Sequence, residues 1–251
     1  AGGIRNAGGR LTLNNSQIVS NTTAASGYGG GLDSSSDSHN TIYASLFAGN
    51  TAVTAGAIYA EGIYTITNSA ISNNHGSSDD GGIRAVSSAM TIINSTISGN
   101  SGAEAGGLRI LGATVNLDNT IIANSVGGAD CVRPSGTLNA RNSLIEGGLT
   151  CVNGTDTNNL TGDPALNADL TLSSASSAIN AGDNALVPPD VTTDLAGNAR
   201  IQQGTVDMGA YESSFSPTAA TVGGFAAELH PDRVRLHWTT LNEVGLTGFH
   251  L

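Results

Sequence analysis

The sequence predicts an all-β fold, a parallel β-helix in which short strands stack coil upon coil. A seven-residue motif recurs about every 25 residues through the first 150 residues, and a period in this range is typical of stacked repeats. Apolar and polar residues alternate ahead of most copies, which indicates strands that are too short for helices. Because no helical segment separates these strands, each can pair only with its equivalent one coil away, in parallel sheets.

The repeated motif is clearest at residues 94–100, where it reads Asn-Ser-Thr-Ile-Ser-Gly-Asn. Near copies begin at positions 15, 44, 68, 119 and 142, so that successive copies are 29, 24, 26, 25 and 23 residues apart. The fourth position is apolar in every copy, and we expect these side chains to stack in one inward ladder. Its members are Ile18, Phe47, Ile71, Ile97, Ile122 and Ile145.

Two polar positions of the motif are interpreted as structural. The second position carries a hydroxyl that should point inward and bond along the stack, at Ser16, Ser45, Ser69, Ser95, Thr120 and Ser143. Asparagine tolerates a left-handed backbone, and its amide can bond to its copies above and below, so asparagines should form two corners. The first corner holds Asn15, Asn68, Asn94, Asn119 and Asn142, and the second holds Asn21, Asn50, Asn74 and Asn100.

A second landmark, two small residues followed by an aliphatic one in most copies, predicts another strand in each repeat. The aliphatic residues are Ile4, Leu32, Ile58, Ile83, Leu108 and Val132. Each coil then holds about three short strands, and six coils occupy residues 1–150. A leucine-rich repeat would need a denser leucine pattern, and a β-propeller would need about 40 residues per blade.

The composition narrows the possible function classes. The 251 residues carry a net charge of −11, with nine arginines and no lysine, which disfavours nucleic acid or an acidic membrane as a partner. With 34 glycines and 4% aromatic residues, the core must consist of thin aliphatic layers. No apolar run approaches the ~18 residues that span a bilayer. Because the chain starts inside a repeat and stops in mid-strand, we expect a fragment of a longer protein.

The two cysteines, Cys131 and Cys151, lie 20 residues apart, close to one repeat period. If each opens a coil, they lie on neighbouring rungs about 4.8 Å apart, within the range that a disulfide tolerates. A bridge would indicate an oxidising, extracytoplasmic compartment. The alternative is two unpaired cysteines that act as small apolar side chains.

Two groups of residues carry a resemblance to known families. Gly30-Gly31-Leu32 and residues 47–50, Phe-Ala-Gly-Asn, resemble the repeats of polymorphic outer-membrane proteins, and the wider pattern is similar to the right-handed β-helix repeats of secreted bacterial proteins. Residues 162–166, 176–182, 194–200 and 207–212 resemble the closing region of the choice-of-anchor Q family of bacterial surface proteins. This resemblance implies a right-handed, single-stranded β-helix over 1–150 and a closing module over 151–213. We expect that module to cover the open end of the last coil.

A third segment follows a linker at residues 214–221. In the stretch 233–239, Val234, Leu236 and Trp238 alternate with polar residues, and another strand begins near residues 248–251. Residues 222–251 therefore resemble the start of a fibronectin type III-like sandwich that is truncated before its later strands. In that interpretation Trp238 belongs to the core.

The candidate ligand-binding residues lie one position after the second landmark, on the outer side of the sheet. They are Tyr59, Arg84, Arg109 and Arg133, with Arg5 and Asp33 at the equivalent positions of the first two coils. Successive arginines at rung spacing are unfavourable unless they are solvated, paired with acids or occupied by an anion. Asp79, Asp80 and Glu104 are near enough in sequence to pair with them. The alternative is a contact with a glycan, in which tyrosine stacks on a sugar and guanidinium groups bind uronate carboxylates.

No other pattern indicates chemistry. His75 with Asp79 and Asp80 could suggest a metal or acid–base cluster, but a surface loop explains the same residues. The sequence predicts no catalytic residue, no metal site and no cofactor.

These observations predict a monomeric bacterial protein, secreted or on the cell surface, that acts in display, adhesion or glycan binding. Its partners would be polysaccharides or other cell-surface components. The alternative is a polysaccharide lyase or glycoside hydrolase on the same scaffold. An outward cleft with an arginine and two converging carboxylates, or a bound calcium ion, would favour the enzyme, and a flat face would favour display.

Overall fold

The computed structural model describes residues 1–23, 27–215, 221–230, 232 and 234–242. They form a parallel β-helix of about six turns, an irregular segment packed against it, and a small antiparallel sheet. The all-β prediction is confirmed. The one helical element among these residues is a single 3-10 turn, Asn184–Leu186.

Three parallel sheets run along the β-helix, each built from one strand per coil. The first sheet contains Ile4–Asn6, Leu32–Ser34, Ile58–Ala60, Ile83–Val86, Ser101–Leu111 and Val126–Val132, with the short strands Thr51–Ala52 and His75–Gly76 beside Ser101–Leu111. The second contains Gly9–Asn14, Ser38–Tyr43, Ile63–Thr67, Ala89–Ile93, Ala113–Asp118, Gly136–Arg141 and Asp156–Thr157. The third contains Gln17–Val19, Leu46–Ala48, Ala70–Ser72, Thr96–Ser98, Ile121–Ala123 and Leu144–Ile145.

The inward ladder predicted from the motif is confirmed. Ile71 pairs in register with Phe47 on one side and with Ile97 on the other, and the whole ladder is buried. The second sheet adds its alternating residues to the same core, including Tyr64, Met90 and Leu117. The core is therefore a stack of thin layers in which each side chain fills the space above its own copy.

The hydroxyl ladder is also confirmed. The backbone N–H of Ser45 donates to Oγ of Ser69, and that of Ser69 donates to Oγ of Ser95, each at 3.1 Å. Each of these hydroxyls donates in turn to the carbonyl two residues earlier. Backbone groups at this corner are thus satisfied along the axis of the β-helix, as burial requires.

The two asparagine corners differ from each other and, in part, from the prediction. At the first corner the backbone is left-handed as expected, with φ between 45° and 53° at Asn15, Asn68, Asn94, Asn119 and Asn142. At the second corner the left-handed residue is the one before the asparagine, for example Asn73 or Gly99. Of the two corners, as far as the structure describes them, the second alone has amide-to-amide bonds between copies: Asn50 donates to Asn74 at 2.9 Å, and Asn74 donates to Asn100 at 2.8 Å.

The segment after the sixth coil covers the open end only in its first part. Asp156–Thr157 pairs with Ala140 and Arg141, and Leu160 forms a bridge to Leu144, so residues 151–160 add a partial seventh turn. The rest runs back along the side of the β-helix rather than over its end. The expectation that the whole module covers the open end is therefore wrong, because the outer side of the third sheet is apolar and needs cover.

That apolar side forms a second, smaller core. Ile121, Ala123 and Leu144 from the third sheet pack against residues of the returning segment, such as Ala178 and Met208. Burial of the larger side chains in this core, Ile121, Leu144 and Met208, contributes about 1.5–3 kcal/mol each. This contact explains why the segment lies along the side.

First-corner asparagines hold the returning segment in register. The amide of Asn119 exchanges two hydrogen bonds with the backbone of Asp183, at 2.8 and 3.0 Å. Asn68 donates to the carbonyl of Thr193 and accepts from the guanidinium of Arg200. The side-chain amides of Asn68 and Asn119 therefore bond to the returning segment and not to their own copies in neighbouring coils.

A buried charge pair fastens the same segment. Arg200 and Glu212 are ion-paired with almost no exposed side-chain surface, and Glu212 also accepts from the backbone N–H of Asp207 at 3.0 Å. Burial raises the pKa of Glu212 to about 7, against the opposing effect of Arg200. A buried pair of this kind is costly to break, because one partner would be left as an uncompensated charge.

The C-terminal sheet is a two-stranded antiparallel hairpin of Thr221–Leu229 and Val234–Asn242. Phe225 lies opposite Trp238, whose side chain is partly exposed. The place of Trp238 in the core of a sandwich stays a prediction. The predicted strand at residues 248–251 lies outside the described residues. The fibronectin type III-like sandwich stays a prediction.

The two cysteines form a disulfide with a Cα–Cα distance of 6.0 Å. Cys131 lies at the end of the first sheet and Cys151 begins the partial seventh turn, so the bond joins the sixth coil to the segment that follows. Arg133 reinforces this connection, since its Nε donates to the carbonyl of Cys151 at 2.7 Å.

We expect thiol labelling of the unfolded, unreduced protein to find no free cysteine. Reduction should lower the free energy of unfolding by about 3 kcal/mol, because a closed loop of this length restricts the unfolded chain. Denaturant melts with and without reductant measure this change. Labelling of both cysteines in the unreduced protein would show that the disulfide is absent, and the argument for an oxidising compartment would then be lost.

Asn74→Ala should destabilise the fold on the order of 3 kcal/mol, because several buried groups lose their partner. Its amide accepts from Asn50 and donates to Asn100 and to the carbonyl of Phe47. The matched control is Asn94→Gly, since among the described residues the amide of Asn94 has no hydrogen-bond partner, and glycine accepts its φ of 47°. Chemical denaturation compares the two variants, and equal losses would contradict a stabilising role for the ladder.

Candidate functional site

The predicted outer column begins as the sequence indicates. Arg5 pairs in register with Asp33, Asp33 with Tyr59, Tyr59 with Arg84, and Arg84 with Arg109. Side chains alternate between the faces of a strand, and the aliphatic neighbours Leu32, Ile58, Ile83 and Leu108 are buried. The column therefore lies on the outer side of the first sheet.

Arg133 does not belong to this column. Arg109 pairs with Val132, and Leu108 pairs with Cys131, so the sixth coil is shifted by one residue from the predicted register. The cause is a pair of register shifts along the long strand Ser101–Leu111 between Gly102 and Leu108. Cys131 takes the inward position that the sequence assigned to Val132, and Arg133 turns to the carbonyl of Cys151.

The two remaining arginines are paired with acids. Nη1 of Arg84 lies 3.0 Å from Oδ2 of Asp79 and 3.3 Å from Oδ2 of Asp80. The guanidinium of Arg109 lies 3.7 Å from Oδ1 of Asp80 and 3.6 Å from Oε2 of Glu104. Of the two alternatives left open by the sequence, the structure shows the ion-paired face, and the glycan contact stays a prediction.

Asp80 is the centre of this cluster. Its side chain is 0% exposed, whereas Arg84 and Arg109 are 19% and 15% exposed. Burial raises the pKa of Asp80 to about 6, and the positive charges of Arg109 and Arg84 oppose that rise. An arginine thus meets two carboxylates here, as an enzyme would require, but the central carboxylate is sealed from any ligand.

Tyr59 has a neighbour that sequence reasoning missed. The rings of Tyr28 and Tyr59 are 4.8 Å apart between centroids, with their planes at 50°, and Tyr28 is 51% exposed. Tyr28 lies outside the repeated strands, in the stretch that leads into Leu32–Ser34, and an isolated bridge joins it to Thr54. The signal in the sequence was a tyrosine directly before three glycines.

The two remaining acid clusters are structural. His75 contacts the hydroxyl of Ser101 at 2.7 Å. A cavity of about 560 Å³ is lined by Asp130 and Glu146, among others, but these carboxylates accept hydrogen bonds from backbone N–H groups of residues 124–125 and 147. In the described part of the chain, no three His, Cys, Asp or Glu side chains are arranged to hold a metal ion.

Comparison of the chain with protein-family models, with curated proteins and with solved structures finds no match. The class that the fold defines is a parallel β-helix with an ion-paired outer face. Within the described ranges no helix is long and apolar enough to cross a membrane.

Asp80→Asn should change how stability depends on pH. Burial raises the pKa of Asp80 in the folded state from 3.8 to about 6. The contribution of this group to the free energy of unfolding is therefore fully present below the unfolded pKa and is lost as the pH rises through about 6. Over this pH window the free energy of unfolding of the wild type should fall by on the order of 3 kcal/mol. That of the variant should not show this fall. Urea denaturation at a series of pH values measures it, and parallel curves for the two proteins would contradict the raised pKa.

Proposed function

We propose that this is a secreted or cell-surface bacterial protein that acts as a stiff scaffold for display, adhesion or glycan binding. The observation that carries the proposal is the outer column of Asp33, Tyr59, Arg84 and Arg109. These side chains stand at fixed spacing on a sheet whose other face is the buried core. Six coils at about 4.8 Å each give a platform roughly 29 Å long.

Two further features support this proposal. Hydrogen-bond ladders along the axis and the second core make the platform stiff, so contacts on its surface need little reordering on binding. The disulfide between Cys131 and Cys151 agrees with an oxidising environment outside the cytoplasm. The resemblance to bacterial surface proteins, given by residues 162–212, points to the same location.

A polysaccharide lyase or glycoside hydrolase is the second candidate. The convergence of Arg84 with Asp79 and Asp80 favours it, since enzymes on this scaffold place acids and bases on an outer face. Against it, Asp80 is fully buried and serves to hold both arginines. Of the two carboxylates on Arg84, only that of Asp79 is accessible to a substrate, with a third of its side chain exposed.

One experiment separates the two candidates. The immobilised chain is exposed to soluble neutral, uronate and amino polysaccharides and to bacterial cell envelopes, and both retention and cleavage are measured. We expect saturable retention of at least one of these materials, without release of reducing ends or unsaturated sugars. Cleavage that disappears in Asp79→Asn would favour the enzyme, and absence of retention on every material would contradict the scaffold function.

A further inference from the structure

The Tyr28–Tyr59 pair is an aromatic platform on the outer side of the first sheet. The two rings contact each other, and about half of Tyr28 faces solvent. An aromatic face carries negative charge density above its ring, so it attracts both apolar C–H groups and cations.

Charged groups of both signs surround this platform, and among their side chains the acids outnumber the bases. Glu61 and Asp33 both act on Tyr59, and together with burial, the largest cause, they raise its pKa. Asp33 is its neighbour in the sheet, and Glu61 lies two residues further along the chain. In the described residues no basic side chain pairs with Glu61. The guanidinium group of Arg84 is held by Asp79 and Asp80, and Asp33 is paired with Arg5 at 3.9 Å and with the N-terminal ammonium at 3.8 Å.

The negative surroundings extend along the column. Next to the platform, three carboxylates share two guanidinium groups, and the whole chain carries a net charge of −11. A uronate would meet these carboxylates at short range and the net charge at long range, both of which repel it. A positively charged ligand is attracted by both.

We propose that the Tyr28–Tyr59 platform binds an amino sugar of a cationic polysaccharide, one whose sugars carry free amino groups. The proposal rests on the proposed function and names the ligand class of the same outer face. The sugar ring stacks on Tyr28, and its ammonium group lies over the rings and toward Glu61. This ligand replaces the uronate expected from the arginines, because their guanidinium groups are already occupied.

The arrangement favours a polysaccharide over a lysine-rich protein segment. A sugar ring offers an apolar face to Tyr28 and an ammonium group to Glu61 at once, whereas a lysine ammonium at the end of a flexible stem does not stack. An extended polymer along the axis also meets rungs about 4.8 Å apart. Along them the carboxylates of Asp33, Glu61, Asp79, Asp80 and Glu104 outnumber the guanidinium groups of Arg5, Arg84 and Arg109.

Titration calorimetry tests the proposal with glucosamine oligosaccharides, their fully N-acetylated counterparts of equal length, and oligogalacturonate. We expect the amino oligosaccharide to bind more tightly than the acetylated one, and oligogalacturonate to show no binding. Tyr28→Ala should lower the affinity for the amino oligosaccharide roughly two- to fivefold, as expected when a cation–π contact at an exposed site is lost. Tyr28→Phe keeps the ring and should bind as the wild type does.

Glu61→Gln should also weaken binding, and Glu104→Gln is its matched control. Both substitutions remove one negative charge from the first-sheet side, but Glu104 belongs to the cluster with Arg109, two coils away from Tyr59. Equal effects of the two variants would indicate net charge alone and would overturn the proposal.

Equal affinity for the free and the acetylated oligosaccharides would also overturn the proposal, and so would unchanged affinity in Tyr28→Ala. A third contrary result would be a lysine-rich peptide that binds the wild type as tightly as the amino oligosaccharide does, and that binds Tyr28→Ala equally well. Retention of other glycans or of cell envelopes without binding of the amino oligosaccharide would refute this inference and leave the scaffold function intact. Absence of all retention would refute both.

Discussion

The hydrogen bonding between coils is the constraint on which the rest of the structure depends. A strand in a parallel β-helix has no partner except the same strand one coil away, so equivalent residues are forced on top of each other. At the corners, where the strand ladders stop, the hydroxyls of the serine ladder and the amides of Asn50 and Asn74 take over the pairing. The repeat in the sequence exists because every coil has to satisfy the same groups.

This constraint explains which parts of the fold could be predicted. Positions that pair with their own copies repeat, so the inward ladder, the hydroxyl ladder and the three strands per coil were visible in the sequence. The side-on packing of the returning segment was not, because it joins unlike residues far apart in the chain, such as Asn68 and Arg200. Nothing in the repeat indicates that a first-corner asparagine will bond outward instead of to its copy.

The candidate site could be predicted only where its residues follow the repeat. Tyr59, Arg84 and Arg109 align because their coils are regular, whereas Arg133 is displaced by register shifts in one long strand. Tyr28 was invisible to the periodicity because it lies between repeats. The arginines could be counted from the sequence, but their burial against acids could not.

The arginines of this lysine-free chain act mainly as internal connectors. Arg84 and Arg109 hold Asp80, Arg141 makes two 2.8 Å bonds to Asp118, and Arg200 is buried with Glu212. These guanidinium groups are therefore neutralised inside ion pairs. The surface that a partner contacts carries most of the net charge of −11.

The returning segment also sets the route by which the fold would carry mechanical load. Because Arg200, Met208 and Ala210 hold it against the third to fifth coils, a pull on the chain beyond Phe215 reaches the middle of the β-helix first. Such a force shears many contacts in parallel and does not peel the sixth coil away from the fifth. Side-on attachment therefore protects the terminal coil, the part of any stacked structure that has the fewest neighbours.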